Sequence, residues 1–211
     1  MSNPDGLEGV LAPILTPFAN TLLPHIPLFV GLARHLMEQG LGLAPFGTTS
    51  EGNSLGVSEK VTLLDALAEA GLEMGRMMPG TGCCALTDSV ALTAHAVRLG
   101  CGGVLMLPPF YYKNPSEDGL FAAFAETIER VGDARLRLYL YHFPQQSQIP
   151  ISHALIERLR NAYPETVVGI KDSSGDLANM VEMCRRFPGF KVFAGTERLI
   201  LPVMQAGGAG C

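Results

Sequence analysis

The sequence predicts an α/β fold, a TIM (β/α)8 barrel, on three observations. Short apolar runs alternate with helical patterns along the chain, giving seven strand–helix units and the first residues of an eighth strand. Such alternation makes a parallel sheet with helices outside it. The segment after the first run, TPFANTLLPH, has no glycine, whereas a doubly wound nucleotide-binding sheet usually carries its glycine-rich loop there. Residues able to do chemistry stand at the ends of the apolar runs, where a barrel gathers its active site.

The elements follow in order. GVLAPIL (9–15) reads as the first strand. A helix opens near Pro27 and stops at Gly40, with Leu28, Leu32, His35 and Leu36 on one side. LGLAPF (41–46) is the second strand, and Ser58 is the expected cap of a helix spaced on Val61, Leu64, Leu67 and Ala68. RMMPGTG (76–82) is a short third strand. The helix after it is expected to start at a Thr87 or Asp88 cap and stop at Gly100. GGVLMLP (102–108) is followed by a helix from Ser116, RLYLY (137–141) by a helix from Ser152, and VVGIK (167–171) by LANMVEMCRRF. KVFAG (191–195) and the helix ERLILPVMQAG complete the seventh unit, and GGAGC begins an eighth strand. No composition shift divides the chain, so one barrel domain over 1–211 is expected, incomplete at the eighth strand and lacking its helix. A barrel short of a strand should leave an open sheet edge.

Composition narrows the function. Charged residues make up 17% of the 211 residues, below the ~25% of an average soluble domain, which indicates an extensive interior. The formal net charge is −5, and no basic run suggests a nucleic-acid surface. The N-terminus lacks the basic and apolar regions of a signal peptide, and no apolar run reaches the length of a membrane span. Five cysteines without CxxC spacing fit a reducing cytoplasm better than a disulfide framework or a zinc site. The expected setting is cytoplasmic, with no membrane and no nucleic-acid partner.

The strand ends supply a set of hydroxyls around one amine. The second strand ends in GTTSEGNS, the fourth leads into PPFYYKNP, the fifth ends in Tyr141-His142, the sixth in Lys171 and the seventh in GTE. Lysine is costly to bury without a partner, and an amine removed from water loses its proton more readily. A neutral amine condenses with a ketone to a Schiff base. Forming and breaking that imine requires proton transfer, which a tyrosine hydroxyl relayed by a threonine can provide. The GTTS turn offers backbone N–H groups suited to a carboxylate. Taken alone, Lys171 also reads as a lysine with its stem packed and its head in solvent, and Tyr141 as an interior packing residue. His142 should face away from Tyr141, because strand neighbours alternate. Glu51, Asp172 and Glu197 look like turn or capping groups, and Cys83-Cys84 like small packing residues.

GTTSEGNSL, PPFYYKNPSEDGL, YLYHFP and VVGIKDSSGD, in this order, resemble the dihydrodipicolinate synthase / N-acetylneuraminate lyase family, pyruvate-dependent class I aldolases and related lyases on a TIM barrel. The resemblance covers nearly the whole chain. It implies a Schiff-base aldolase or lyase acting on pyruvate or another 2-oxo acid with an aldehyde partner, without metal or organic cofactor, in a homo-oligomer (dimer or tetramer), and with further helices after the barrel. Lys171 is then the imine-forming lysine, Tyr141 the proton shuttle, Thr48 its relay, and Tyr112 the tyrosine that in many members reaches a neighbouring subunit's site. Thr49, Gly47, Gln146, Gly195 and Gly208 are expected to bind substrate.

Two departures from the family pattern bear on substrate. Ser50 stands where the family usually has the second glycine of GTTGE, a cost if that position needs positive φ. Gln146 stands where the synthase branch carries an arginine for the second substrate's carboxylate. The alternatives are therefore dihydrodipicolinate synthesis, a 2-keto-3-deoxy sugar acid aldolase or dehydratase, or, in another class, a non-catalytic barrel that binds a 2-oxo acid.

Overall fold

The structure, a computed structural model, describes residues 6–211. Its strands are β1 (Leu11–Ala12), β2 (Gly42–Leu43), β3 (Val104–Met106), β4 (Leu138–His142), β5 (Val167–Asp172) and β6 (Lys191–Ala194). β1 pairs with β2, and β3 to β6 pair in sequence order, all in parallel. Two less regular segments join these sheets into a ring. Met77 bridges to Leu43 and Gly80 to Leu105, so the predicted third strand lies between β2 and β3. It is not a continuous strand, because Pro79 within it has no N–H to donate; its carbonyl accepts from Leu105 N at 2.9 Å instead.

The second joint corrects the expected open edge. Gly210 bridges to Phe193 on one side and to Gly9 on the other. Five backbone hydrogen bonds hold it: Ala209 N to Val192 O, Ala194 N to Gly210 O, Gly9 N to Ala209 O, Leu11 N to Cys211 O and Cys211 N to Gly9 O. Three residues of the eighth strand therefore close the barrel. Glycine is required for this approach: a Cβ on Gly210 would lie 1.9 Å from the Gly9 carbonyl oxygen, and its φ is +149°.

The helices are α1 (Ile26–Glu38), α2 (Val57–Glu69), α3 (Leu86–Arg98), α4 (Glu117–Val131), α5 (Pro144–Ser147), α6 (His153–Ala162), α7 (Leu177–Arg186) and α8 (Ile200–Gln205). Ser116, Ser152 and Asp176 accept hydrogen bonds from Gly119 N, Leu155 N and Asn179 N and so start α4, α6 and α7. Two expected caps move. α2 begins before Ser58, where Gly56 N donates to Glu59 Oε2 at 2.8 Å. α3 begins after Ala85 with no side-chain cap, ahead of Thr87 and Asp88. On α1 the buried face is Phe29 and Ala33, one residue round the helix from the predicted stripe, while Leu28 is 57% exposed. Among the described residues no helix is long and apolar enough to cross a membrane.

The hydrophobic core has two layers. The larger one lies between strands and helices, with Phe29, Leu43, Leu64, Leu92, Leu140, Leu155 and Met180 among its fully buried members. The smaller one fills the barrel: Leu11, Ala44, Met78, Leu105, Tyr139, Tyr141, Phe193 and Ala209. Tyr139 is its largest plug. The ring meets Phe193 edge-on at 5.7 Å, and the hydroxyl accepts from Leu7 N at 2.7 Å. Room for it comes from Gly103 and Gly169, where a Cβ would lie 2.4 and 2.6 Å from ring atoms.

Candidate active site

β4 and β5 are neighbours whose register sets Tyr141 beside Lys171 and His142 beside Asp172. Alternation along a strand then separates the two pairs. Tyr141 turns into the barrel with Tyr139. Lys171 shares that face, its Nζ 5.1 Å from the Tyr141 ring centroid, within cation–π range. Lys171 is half-buried. It stands one residue before the C-terminal end of β5.

The GTTS loop brings the third group. Thr48 Oγ1 lies 3.2 Å from the Tyr141 hydroxyl, and either oxygen can donate. The loop is folded tightly on itself: Glu51 N donates to Thr48 O and Gly52 N to Gly47 O. Its positive φ values fall on Phe46 (63°) and Glu51 (56°), not on Ser50. The serine in place of glycine therefore carries no backbone strain. It is fully buried, and its carbonyl accepts from Thr16 Oγ1 at 2.8 Å, which ties the loop to the end of the first strand. Gly47, Thr48, Asn53, Leu107 and Tyr141 line one small cavity.

The remaining predicted site residues divide. Thr49 is exposed in the same loop. Gly195 N donates to Asp172 O at 2.7 Å, so it stands at the same end of the barrel as Lys171. Gln146 lies on α5, exposed, at that end also. Gly208 does not join them. It precedes the eighth strand, donates to Val203 O at 2.8 Å, and a Cβ there would lie 2.4 Å from Val203 Cγ1. It packs beneath α8, below the level of Gly210, which faces Phe193. Tyr112 is 82% exposed and stacks edge-on with Tyr111 at 5.1 Å; within this chain it does not meet the Tyr141–Lys171 pair.

Behind the pair, His142 and Asp172 lie outside the barrel and buried. His142 Nδ1 accepts from Ile151 N at 3.1 Å, and burial holds the imidazole pKa below its ordinary value, against the pull of Asp172. Asp172 accepts from Ser174 N at 2.8 Å and from Asn179 Nδ2 at 2.7 Å, and Asn179 Oδ1 is 2.9 Å from His153 Nε2. The outward residues thus pin the ends of β4 and β5 to the starts of α6 and α7. His142 faces away from Tyr141, as strand alternation predicts. Of the two adjacent cysteines, Cys83 is half-buried and Cys84 exposed, so only the first packs.

Two neighbours were missed in the sequence. Asn53 lines the cavity, although it lies in plain view within GTTSEGNS. Cys211 stands close enough for the Lys171 charge to act on its thiol; burial pushes that thiol up, Lys171 draws it down, and Glu197 raises it. Nothing in sequence spacing links positions 171 and 211; only closure of the ring does.

The profile of the dihydrodipicolinate synthetase family matches residues 6–211. An uncharacterised DapA-like lyase of Chloroflexus aurantiacus is 36% identical over 205 residues, 96% of this chain and 68% of that protein. The crystal structure of dihydrodipicolinate synthase from Agrobacterium tumefaciens superposes with a TM-score of 0.91 at 31% identity, covering 95% of this chain and 70% of that one. YagE, a prophage protein of the same family from E. coli K12 solved in complex with pyruvate, superposes at 0.86 with 25% identity over 96% of this chain and 68% of its own. The chain belongs to the dihydrodipicolinate synthetase family.

Proposed function

We propose that this protein is a Schiff-base-forming lyase that uses pyruvate or a related 2-oxo acid, joining it to or releasing it from an aldehyde. The observation that carries the reading is the cluster at the barrel mouth: Lys171 Nζ over the Tyr141 ring at 5.1 Å and Thr48 Oγ1 at 3.2 Å from the Tyr141 hydroxyl. Lys171 attacks the 2-oxo carbon and forms a carbinolamine, which loses water to give the imine. Tyr141 protonates the departing hydroxyl and takes the proton back on hydrolysis, with Thr48 as the relay. Removal of a proton from C3 of the imine gives an enamine that attacks the aldehyde; the reverse direction breaks the same C–C bond. The positive imine nitrogen takes up the electron pair in both directions. Backbone N–H groups of the GTTS turn and the Thr49 hydroxyl hold the carboxylate. The pyruvate bound to YagE supports the choice of 2-oxo acid.

The uncharged Gln146 on α5 favours an aldehyde partner without a carboxylate at that position over the synthase substrate. Assembly as a homo-oligomer, with exposed Tyr112 turned toward a partner's site, belongs to the same reading. The test is trapping. Protein incubated with pyruvate and borohydride should gain the mass of one pyruvate, less water and plus two hydrogens, on the peptide containing Lys171. No adduct, or an undiminished adduct with Lys171→Ala, overturns the proposal.

A further inference from the structure

The opposite end of the barrel carries a cationic cavity that the lyase chemistry does not use. Arg137 precedes β4, Lys191 opens β6, and Arg160 lies on α6; all three line a cavity of about 460 Å3 at the N-terminal ends of the strands, with Glu8, Val168 and Phe190 also on its wall. Conserved features at this end of a barrel ordinarily serve stability, yet this cavity is polar and open to solvent in a chain whose net charge is −5.

Its arginines are held without carboxylates. Arg137 Nη1 donates to the carbonyls of Ala134 and Leu136 at 2.9 and 3.1 Å. Arg160 Nη2 donates to Pro188 O at 3.3 Å, and its guanidinium lies over the rings of Phe187 and Phe190 at 5.5 and 5.2 Å. Neither makes an ion pair among the described residues. Lys191 is paired with Glu8. Carbonyls and aromatic faces fix the guanidinium planes in advance, which lowers the ordering cost of binding an anion while leaving their charge uncompensated. Among the described residues of its lining, three cations and one carboxylate leave two positive charges, the complement of a phosphate monoester. Guanidinium forks from two elements suit a tetrahedral dianion approached from several sides. The cavity exceeds a bare phosphate, and Val168 and Phe190 give it an apolar wall for a carbon body.

We propose that the N-terminal mouth of the barrel binds a small phosphorylated metabolite, its phosphate on Arg137, Arg160 and Lys191 and its carbon skeleton against Val168 and Phe190. The test is calorimetric titration of the 211-residue chain with glycerol 3-phosphate at low ionic strength, with malate as the dicarboxylate comparison. Saturable one-to-one binding and a rise in melting temperature are expected, because a ligand that binds only the folded state stabilises it. Affinity should weaken as salt is added. The double variant Arg137→Gln, Arg160→Gln should lose at least about tenfold in affinity. Glu8→Gln removes the cavity's carboxylate and releases Lys191, so it should tighten binding several-fold; a misfolded variant cannot do this. No saturation by about 10 mM, unchanged affinity in a double variant that circular dichroism shows to be folded, weaker binding by Glu8→Gln, or malate binding as tightly as the phosphate would each overturn the proposal.

Discussion

Gly169→Ala tests whether the barrel interior positions Lys171, the proposed imine-forming lysine. A Cβ at 169 would sit 2.6 Å from Tyr139 Cδ1 and 2.5 Å from the Lys191 carbonyl oxygen. An ordinary contact begins near 3.4 Å, so the ring must retreat by about 0.8 Å. It has nowhere to go: Gly103 backs its other edge, Phe193 packs against it in a T-shaped contact, and its hydroxyl holds Leu7 N. Overpacking of this kind costs about 1–3 kcal/mol. If the ring moves, the buried Leu7 N–H loses its acceptor, at a further ~1–3 kcal/mol. A total near 4 kcal/mol is a large share of the ~5–15 kcal/mol that holds a domain. For 211 residues the unfolding entropy is roughly 0.44 kcal/mol/K, so the melting temperature should fall by about 9 °C. Differential scanning calorimetry and urea titration measure this, and Gly169→Ala combined with Tyr139→Leu should cost less than the two single changes added together. Because Lys171 is two residues along the same strand, imine trapping should slow as well. A Gly169→Ala protein that melts within about 2 °C of the parent and traps pyruvate normally would refute the packing argument.

Tyr141→Phe should slow pyruvate trapping by about a hundredfold to ten-thousandfold, the usual share of a general acid–base group, while changing stability by less than ~1 kcal/mol, since exposed Thr48 can bond to water instead. Thr48→Val should slow it in the same steps but less, and equal rates in all three proteins would exclude the relay. His142, with its pKa lowered by burial, stays neutral in the folded state while the unfolded chain takes up a proton. Stability should therefore be full above pH ~6.5 and fall as the pH drops below that value, until the folded pKa is passed; urea midpoints across this range should flatten in His142→Asn if the assignment holds. Gly210→Ala should spring the ring open where Gly9 meets it, seen as faster hydrogen exchange at the Gly9 and Leu11 amides; protection equal to the parent's counts against closure by the eighth strand.

Much of this fold was legible because each unit repeats the same two signals, an apolar run and a capped amphipathic stretch. The misreadings share a cause: propensity is local and the deciding contacts are not. Ser58 is a good cap by residue type, but Gly56 wins because Glu59 can reach its N–H. Leu28 and Phe29 are both apolar, and only the position of the sheet decides that Phe29 is buried. The third strand reads as weak because Pro79 removes a donor from the ladder, yet the ring continues through it. Closure of the ring lies furthest from what local sequence shows. Three residues suffice because both flanking strands are already positioned, and each backbone group of the short segment finds a partner on one side or the other.

The site was legible in the same uneven way. Lys171 and Tyr141 stood on consecutive units at equivalent strand ends, so parallel pairing in register brings them together once the fold is granted. Thr48 joins them because the GTTS loop curls back over the mouth, with its strain on Phe46 and Glu51. The doubt attached to Ser50 came from assuming that a glycine marks a positive φ. Here the position needs a small buried side chain, and serine fits while its carbonyl anchors Thr16. Gly208 leads into the eighth strand and packs on Val203 of α8. A parallel strand binds toward its C-terminal end, and along the eighth strand Cys211 lies nearer that end than Gly208, its thiol feeling the charge of Lys171. The groups that complete the substrate pocket therefore follow from the direction in which the eighth strand runs, rather than from the glycines that begin it.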